Sequence, residues 1–156
     1  SGTLGVSDHR KVFNADSIGL KLAPVICWEN EFSDYATDYA RLGANLISVI
    51  TNDGWWGNTP GHVQHLNFSG LRAIEQNKYV VRSANTGISA IISSKGEILQ
   101  RLDWDTEGVI TAEVPLMEGQ TFYVRTGNIL GPMMAVIFFA NFFVILISRF
   151  FRLKPR

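Results

Sequence analysis

The sequence predicts an α/β fold with a mixed sheet, followed by one helix that crosses a membrane. Over about the first 80 residues, short apolar runs alternate with stretches of helical periodicity, as in strands joined by helices. A β-meander then follows, which predicts antiparallel strands beside the parallel ones. Residues 129–147 carry no charge and, as a helix, span about 28 Å, close to the thickness of a bilayer's hydrocarbon core.

The first half of the chain predicts a strand–helix–strand unit. We expect a short edge strand at residues 12–13 and a longer strand at 18–26. Ser33 can cap a helix over 33–42, and a glycine ends it. Residues 45–50 are almost continuously apolar, which is typical of a strand covered on both faces. This succession implies that the two longer strands pair in parallel.

The second half predicts one more helix and a meander of four strands. Proline is favoured in the first turn of a helix, and Pro60 opens the next helical pattern. The predicted elements are a helix over 60–77 and strands over 79–84, 88–93, 97–102 and 109–114.

The charges are divided unevenly along the chain. Residues 1–128 hold all 14 acidic residues and ten basic ones, a net charge of −4, which argues against nucleic-acid binding. The last eight residues hold four basic residues and no acidic one. The positive-inside rule therefore predicts an extracytoplasmic domain over 1–128, a transmembrane helix over 129–147 and a basic cytoplasmic tail over 148–156. A buried core helix is the alternative for 129–147, but such helices seldom stay free of charge for so long.

Cys27 is the strongest candidate for chemistry. It stands where a strand ends and a helix is about to begin, the position at which α/β proteins present reactive groups. A lone cysteine is often only a small buried hydrophobe. Here Glu29 and Glu31 crowd it, and a loop over 51–62 should reach the same sheet edge. A single cysteine excludes an internal disulfide and a cysteine-based zinc site.

Two further groups of residues leave their roles open. Trp55 and Trp56 either hold their loop against the core, or line an apolar pocket or touch lipid. His62 and His65 are spaced to share a metal ion, but no further histidine or cysteine lies nearby. A helix-capping or substrate-lining role is therefore favoured for them. Residues 85–87, Asn-Thr-Gly, are turn formers first.

Four stretches together resemble the second half of the nitrilase, or carbon–nitrogen hydrolase, superfamily. They are Val-Ile-Cys-Trp-Glu at 25–29, Thr-Asn-Asp-Gly-Trp-Trp-Gly at 51–57, the helix with Gln-His and Leu-Arg-Ala-Ile-Glu at 64–75, and Arg-Ser-Ala-Asn-Thr-Gly-Ile-Ser at 82–89. With a membrane-length helix directly after the domain, the chain is similar to the membrane branch of that superfamily, the bacterial apolipoprotein N-acyltransferases. The resemblance covers about residues 12–150.

The resemblance implies an α-β-β-α sandwich, of which this chain forms the second half, and a Glu-Lys-Cys triad. Only the cysteine of that triad, Cys27, has a match here, since residues 1–20 contain no motif for the other two. We therefore expect a C-terminal part of a longer protein, with one sheet face exposed and no activity by itself.

The resemblance also implies a mechanism. The Cys27 thiolate takes an acyl chain from a phospholipid as a thioester, and the N-terminal amine of a diacylglyceryl-cysteine lipoprotein then accepts it. The backbone N–H of Trp28 helps to hold the oxyanion, and Glu29 orients the absent base and lysine. Trp28 replaces a commoner tyrosine. The expected substrate-binding residues are Trp55, Trp56, His65 and Asn85.

The resemblance places the protein in the bacterial inner membrane, with its catalytic domain on the periplasmic side. The implied partners are the phospholipid donor, the lipoprotein acceptor and the membrane, with no cofactor, metal or nucleic acid. One alternative is a membrane-tethered amidase or nitrilase that hydrolyses a small amide with the same thiolate. Another is a catalytically inactive interaction domain. The membrane helix and the apolar loop at Trp55 and Trp56 favour a lipid substrate.

Overall fold

Six strands form one mixed sheet whose spatial order follows the chain. The computed structural model describes residues 8–152, with side chains for residues 8–149. The central strands β2, β3 and β4 run parallel, and the outer strands pair antiparallel with their neighbours. The strands are β1 Phe13–Ala15, β2 Leu20–Ile26, β3 Leu46–Thr51, β4 Tyr79–Ala84, β5 Ser89–Ile92 and β6 Ile98–Leu102. The predicted α/β class and mixed sheet are confirmed.

Two helices cover one face of this sheet: α1 Ser33–Arg41 and α2 Pro60–Gln76. The Thr59 hydroxyl accepts a hydrogen bond from the N–H of Gly61 at the start of α2, and Pro60 occupies the first turn, where its missing N–H costs nothing. Asn77, in the left-handed conformation with φ 51°, ends the helix. The core between helices and sheet consists mainly of small and β-branched residues, among them Ala23, Val25, Ile47, Val49, Leu66, Ala73, Val80, Ala90 and Ile92.

The other face of the sheet is partly open. Side chains alternate along a strand, so the neighbours of core residues point away from the helices. Ile26 and Ile50 are register partners on β2 and β3, and they are 59% and 55% exposed. An apolar sheet face exposed to this degree agrees with the expectation that the chain holds one sheet of a sandwich.

The predicted strand over 109–114 is wrong. Residues 103–121 form no strand or helix, and Val109 is almost fully exposed. After β6 the chain leaves the sheet edge, where the Asp105 N–H donates to the carbonyl of Thr86. It then returns to the start of β3, where the Met117 N–H donates to the carbonyl of Asn45. Between these two hydrogen bonds the segment pairs with no strand, although the outer edge of β6 has no strand beside it in the described part of the chain.

Two helices follow the sheet. Helix α3 Phe122–Thr126 precedes the apolar run in the sequence and buries Val124. Helix α4 Leu130–Arg152 contains the predicted apolar run except for Ile129. Residues 130–149 are long and apolar enough to cross a membrane, and none of that stretch is buried within the structure. The chain divides at this point into two units, 1–125 and 126–156. Of the predicted basic tail, residues 153–156 lie outside the described part of the chain.

Candidate active site

Cys27 occupies a sharp turn at the carboxyl end of β2. The strand ends at Ile26, and a single turn of 3-10 helix, Cys27–Glu31, begins immediately. Cys27 has φ 52°, in the left-handed region that a residue with a side chain seldom adopts. Such strain persists only where the surrounding structure holds it, and it is concentrated at functional sites. The Cys27 residue is partly exposed, so its thiol stands at the sheet edge that the sequence predicts.

Glu29 accepts hydrogen bonds on both of its carboxylate oxygens beside this turn. One carboxylate oxygen, Oε2, accepts a hydrogen bond of 2.7 Å from the backbone N–H of Ile26. The other, Oε1, accepts a bond of 2.5 Å from the Tyr35 hydroxyl. Burial, together with this bond to Glu29, raises the pKa of Tyr35 above its ordinary value. Tyr35 therefore remains a donor, and Glu29 is fixed in one orientation beside Cys27.

A buried polar network supports the turn from α2 and β4. Nδ1 of His65 lies 2.9 Å from Oδ1 of Asp53, and Nε2 of the same ring lies 3.2 Å from the carbonyl oxygen of Cys27. Nη2 of Arg82 lies 2.5 Å from Oδ2 of Asp53 and 3.1 Å from Nδ1 of His65. All three side chains are at least 99% buried. The thiol-bearing turn is thus connected directly to a buried ion pair.

The charges of this network are mutually stabilising. Burial by itself would raise the pKa of Asp53, but its hydrogen-bond contact with His65, the charge of Arg82 and the hydrogen bond from Thr51 outweigh that effect, so the pKa of Asp53 is lowered from its ordinary value. Burial lowers the pKa of Arg82, while its pairing with Asp53 opposes that shift. A carboxylate with three partners in a dry site remains ionised.

Arg82 and Asn30 extend this network to the hydroxyl group of Ser69. Arg82 Nη1 donates to the Ser69 hydroxyl oxygen over 3.2 Å, and its Nε donates to the carbonyl of Ile88. The amide of Asn30, within the turn of Cys27, donates to the same Ser69 oxygen over 3.0 Å. Asn30 and Arg82 therefore meet at one hydroxyl group, and the Cys27 turn is fixed at a second point.

The aromatic residues near Cys27 take different positions. Trp28 is 55% exposed, and its ring centroid lies 5.9 Å from that of Trp56. Trp56 also contacts His65 edge to face, with centroids 5.2 Å apart. Trp55, by contrast, is 84% exposed. Trp56 therefore holds the loop in place, whereas the ring of Trp55 faces solvent.

The sequence-predicted site residues fall into two groups. Cys27, Trp28, Glu29, Trp56 and His65 are brought together around one turn by the contacts described above. His65 is buried, and its Nε2 faces the carbonyl oxygen of Cys27.

Asn85 belongs to the second group, together with Trp55. It is exposed in the turn after β4, and its backbone N–H donates to the carbonyl of Thr51 at the end of β3. The turn thus lies at the same sheet edge as Cys27. Among residues 8–149, no three His, Cys, Asp or Glu side chains are placed to hold a metal ion.

Sequence reasoning missed Asp53, Arg82, Ser69 and Tyr35. The sequence did indicate that Arg82 is unusual, because a charged residue in the middle of an apolar strand needs a partner when it is buried. The need for glycine at position 87 is visible only in the structure, where a Cβ atom would lie 2.3 Å from Oδ2 of Asp53. Only a glycine lets the turn after β4 pass this close to the buried carboxylate.

Curated proteins are similar in sequence to about 70% of this chain. An apolipoprotein N-acyltransferase of Shewanella oneidensis is 36% identical over 115 residues, which are 74% of this chain and 22% of that protein. Another, of Rhizobium leguminosarum, is 45% identical over 111 residues, which are 69% of this chain and 21% of that protein. The chain thus spans about a fifth of the length of the curated relatives it matches.

The fold has solved counterparts as well. The crystal structure of Saccharomyces cerevisiae Nit3, a member of branch 10 of the nitrilase superfamily, matches 67% of this chain with 41% of its own, at a TM-score of 0.55 and 19% identity. This likeness shows the fold. The sequence model described as carbon-nitrogen hydrolase matches residues 3–123, most of the unit that carries Cys27. On that match, the chain belongs to the carbon–nitrogen hydrolase family.

Proposed function

We propose that this chain is part of an apolipoprotein N-acyltransferase, which moves an acyl chain from a phospholipid to the N-terminal amine of a diacylglyceryl-cysteine lipoprotein. The observation that carries the proposal is the position of Cys27. It is a strained, partly exposed thiol on a strand-end turn, in a chain whose curated relatives bear that name. A nucleophile on a sharp turn at the sheet edge is well placed to attack an acyl carbon.

The proposed reaction has two steps. In the first, the Cys27 thiolate attacks the ester carbonyl of a phospholipid, and the tetrahedral oxyanion collapses to a thioester with loss of the lysophospholipid alcohol. In the second, the lipoprotein amine attacks the thioester and Cys27 leaves as the thiolate. The N–H of Trp28 is the donor from this chain nearest the oxyanion, because it belongs to the peptide that follows Cys27. The general base and the lysine of the triad come from elsewhere in the full-length protein.

In this proposal, the exposed tryptophan rings bind the acyl chain of the phospholipid. Trp55 stands exposed after β3, on the edge where β2 presents Cys27, and Trp28 offers a second exposed indole. Large apolar rings in contact with water favour an acyl chain over a small polar amide.

The proposal places the protein in the inner membrane. Residues 129–147 cross the bilayer, the four basic residues that follow them in the sequence lie in the cytoplasm, and the domain with Cys27 is periplasmic. A reporter fused after residue 156 of the full-length protein should behave as cytoplasmic, and one inserted near residue 10 as periplasmic. The reverse pattern would place the thiol on the wrong side for lipoprotein maturation.

The direct test uses Cys27 variants of the full-length protein in detergent. Cys27→Ala should abolish acyl transfer from phospholipid to a diacylglyceryl peptide. Cys27→Ser should nearly abolish it, because an alcohol is a far weaker nucleophile than an activated thiol at neutral pH. Unchanged thermal midpoints would show that both variants fold.

A matched assay with a small amide separates the alternative function. The family is named for carbon–nitrogen hydrolysis, and the Cys27 thiolate could also attack the carbonyl of an amide. Acyl transfer that depends on Cys27 supports the proposal. Hydrolysis of the amide that depends on Cys27, with no transfer from phospholipid, would instead identify a membrane-tethered hydrolase.

A further inference from the structure

We infer that His65 is a positioning residue, which orients the Cys27–Trp28 peptide so that the N–H of Trp28 points at the oxyanion formed on Cys27. The inference rests on the proposed function, because it requires a tetrahedral oxyanion at this position. It assigns His65 a role through the backbone, and no contact with the substrate.

The geometry of the peptide bond carries the argument. The carbonyl of Cys27 and the N–H of Trp28 belong to one planar trans peptide, in which the two groups point in opposite directions. Nε2 of His65 lies 3.2 Å from that carbonyl oxygen, within hydrogen-bonding distance. A group that holds the carbonyl therefore also sets the direction of the N–H.

The imidazole is itself held in one orientation. A carbonyl oxygen can only accept, so Nε2 of His65 carries a proton in this contact. Nδ1 of the ring meets the Asp53–Arg82 ion pair, at 2.9 Å from Oδ1 and 3.1 Å from Nη2. Trp56 packs edge to face against the ring, which is only 1% exposed. The ring cannot turn without breaking buried contacts on both of its nitrogen sides.

The peptide needs this support because of its conformation. Cys27 lies in the left-handed region, which is unfavourable for a residue with a Cβ atom and relaxes when nothing holds it. A hydrogen bond to the carbonyl also polarises the peptide, so the opposite N–H becomes a stronger donor. His65 thus acts on both the direction and the strength of the Trp28 N–H.

Two amide variants of the full-length protein separate this role from mere structural support. In His65→Gln, the side-chain amide can occupy the position of Nε2 and still donate to the Cys27 carbonyl. In His65→Asn, the shorter amide reaches only the position of Nδ1, so it satisfies Asp53 and leaves the carbonyl without its donor. His65→Gln thus keeps the contact made by Nε2, and His65→Asn keeps the contacts made by Nδ1.

Two rates are measured on each variant. The first is the formation of the Cys27 thioester from phospholipid, which passes through an oxyanion. The second is the alkylation of Cys27 by iodoacetamide, which forms none. We expect His65→Asn to lose about 100-fold in thioester formation, the loss typical of one oxyanion donor. His65→Gln should retain most of that rate, and alkylation should be unchanged in both. Asn67→Ala, on the exposed side of the same helix α2, is the control and should leave both rates unchanged.

Other outcomes overturn the inference. Equal thioester rates in His65→Asn and the wild type would show that the carbonyl contact is unimportant. A slower rate in His65→Gln than in His65→Asn would assign the effect to Asp53. A parallel loss of both rates and of the thermal midpoint in both variants would show a structural role only. If the wild type itself forms no thioester on Cys27, the proposed function fails and the inference fails with it; in the other three outcomes the proposed function stands.

Discussion

Arg82 and Asp53 form an ion pair that is fully buried, with Nη2 of Arg82 2.5 Å from Oδ2 of Asp53. Removing two charges from water is costly, and such a pair is tolerated when its remaining donors and acceptors are satisfied. Here Arg82 also donates to Ser69 and Ile88, and the other oxygen of Asp53 contacts His65. The pair joins the loop after β3 to the middle of β4, and through His65 it supports the turn of Cys27. Its energetic weight can therefore be measured separately from catalysis.

Asp53→Asn should strongly destabilise the domain. The substitution preserves the shape of the side chain but leaves the buried guanidinium of Arg82 without a counter-charge. Breaking a buried pair from one side costs about 3–5 kcal/mol. The thermal midpoint of the full-length protein in detergent should fall clearly.

Asp38→Asn is the matched control for that change. Asp38 pairs with Arg10 and Arg41 at the surface, where its side chain is 37% exposed. Exposed pairs contribute about 0–1 kcal/mol, so the midpoint should hardly move. Equal losses in the two variants would mean that the Asp53–Arg82 pair has no special weight.

The stability contributed by Asp53 should depend on pH in the acid range. Its pKa is lowered in the folded state, below the 3.8 of an unperturbed aspartate. A group of this kind contributes its full stabilisation above the unfolded pKa and loses it as the pH falls through the folded pKa. The difference in midpoint between wild type and Asp53→Asn should therefore be constant from neutral pH down to the region of 3.8, and then shrink. A difference that stayed constant throughout acid titration would contradict the assigned ionisation.

Gly87→Ala should be as harmful as loss of the ion pair, and Gly70→Ala should not. A Cβ atom on Gly87 would lie 2.3 Å from Oδ2 of Asp53, a distance at which the carboxylate must move. On Gly70, in the middle of α2, the nearest atom outside the helix would be the Gly96 oxygen at 3.5 Å, an ordinary contact. Alanine is favoured over glycine inside helices by about 1 kcal/mol, so Gly70→Ala should raise the midpoint slightly. The thermal midpoints of the two variants test both expectations.

Substitutions of Trp55 and Trp56 should distinguish an effect on substrate binding from an effect on stability. Trp55 is exposed, so Trp55→Ala should leave the thermal midpoint and the alkylation rate of Cys27 unchanged. If its ring meets an acyl chain, transfer from long-chain phospholipid should fall by about tenfold or more, since tenfold corresponds to about 1.4 kcal/mol of lost binding. Trp56→Ala removes contacts with Trp28 and His65 and should lower the midpoint as well as transfer. Full transfer in a stable Trp55→Ala protein would remove the aromatic support for a lipid substrate.

The strands and the position of Cys27 could be predicted because they depend on local patterns. Apolar runs bounded by turn formers locate β2 to β6 within a residue or two, and the cysteine follows directly from the end of β2. The strand expected over 109–114 shows the limit of this reasoning. An alternating pattern says which residues suit a strand, but not whether they pair with a neighbouring strand in the fold.

The network behind Cys27 could not be predicted, because it depends on contacts between distant parts of the chain. His65, Asp53 and Arg82 lie on three different elements and meet only once β3 and β4 pair in register and α2 packs across them. The charge of Arg82 within an apolar strand signals that a partner is needed. It does not say which of the 14 acidic residues supplies it.

The acylation of Cys27 is the most direct test of the proposed function. The full-length protein would be incubated with phospholipid and no lipoprotein acceptor, then digested and analysed by mass spectrometry. We expect the peptide with Cys27 to carry one acyl chain, and neutral hydroxylamine to remove it, as it does from a thioester. Cys27→Ser, the smallest change to the nucleophile, should show no hydroxylamine-sensitive acylation. An unmodified Cys27 peptide in a protein that still transfers acyl chains, or an acyl chain on another residue, would contradict the account.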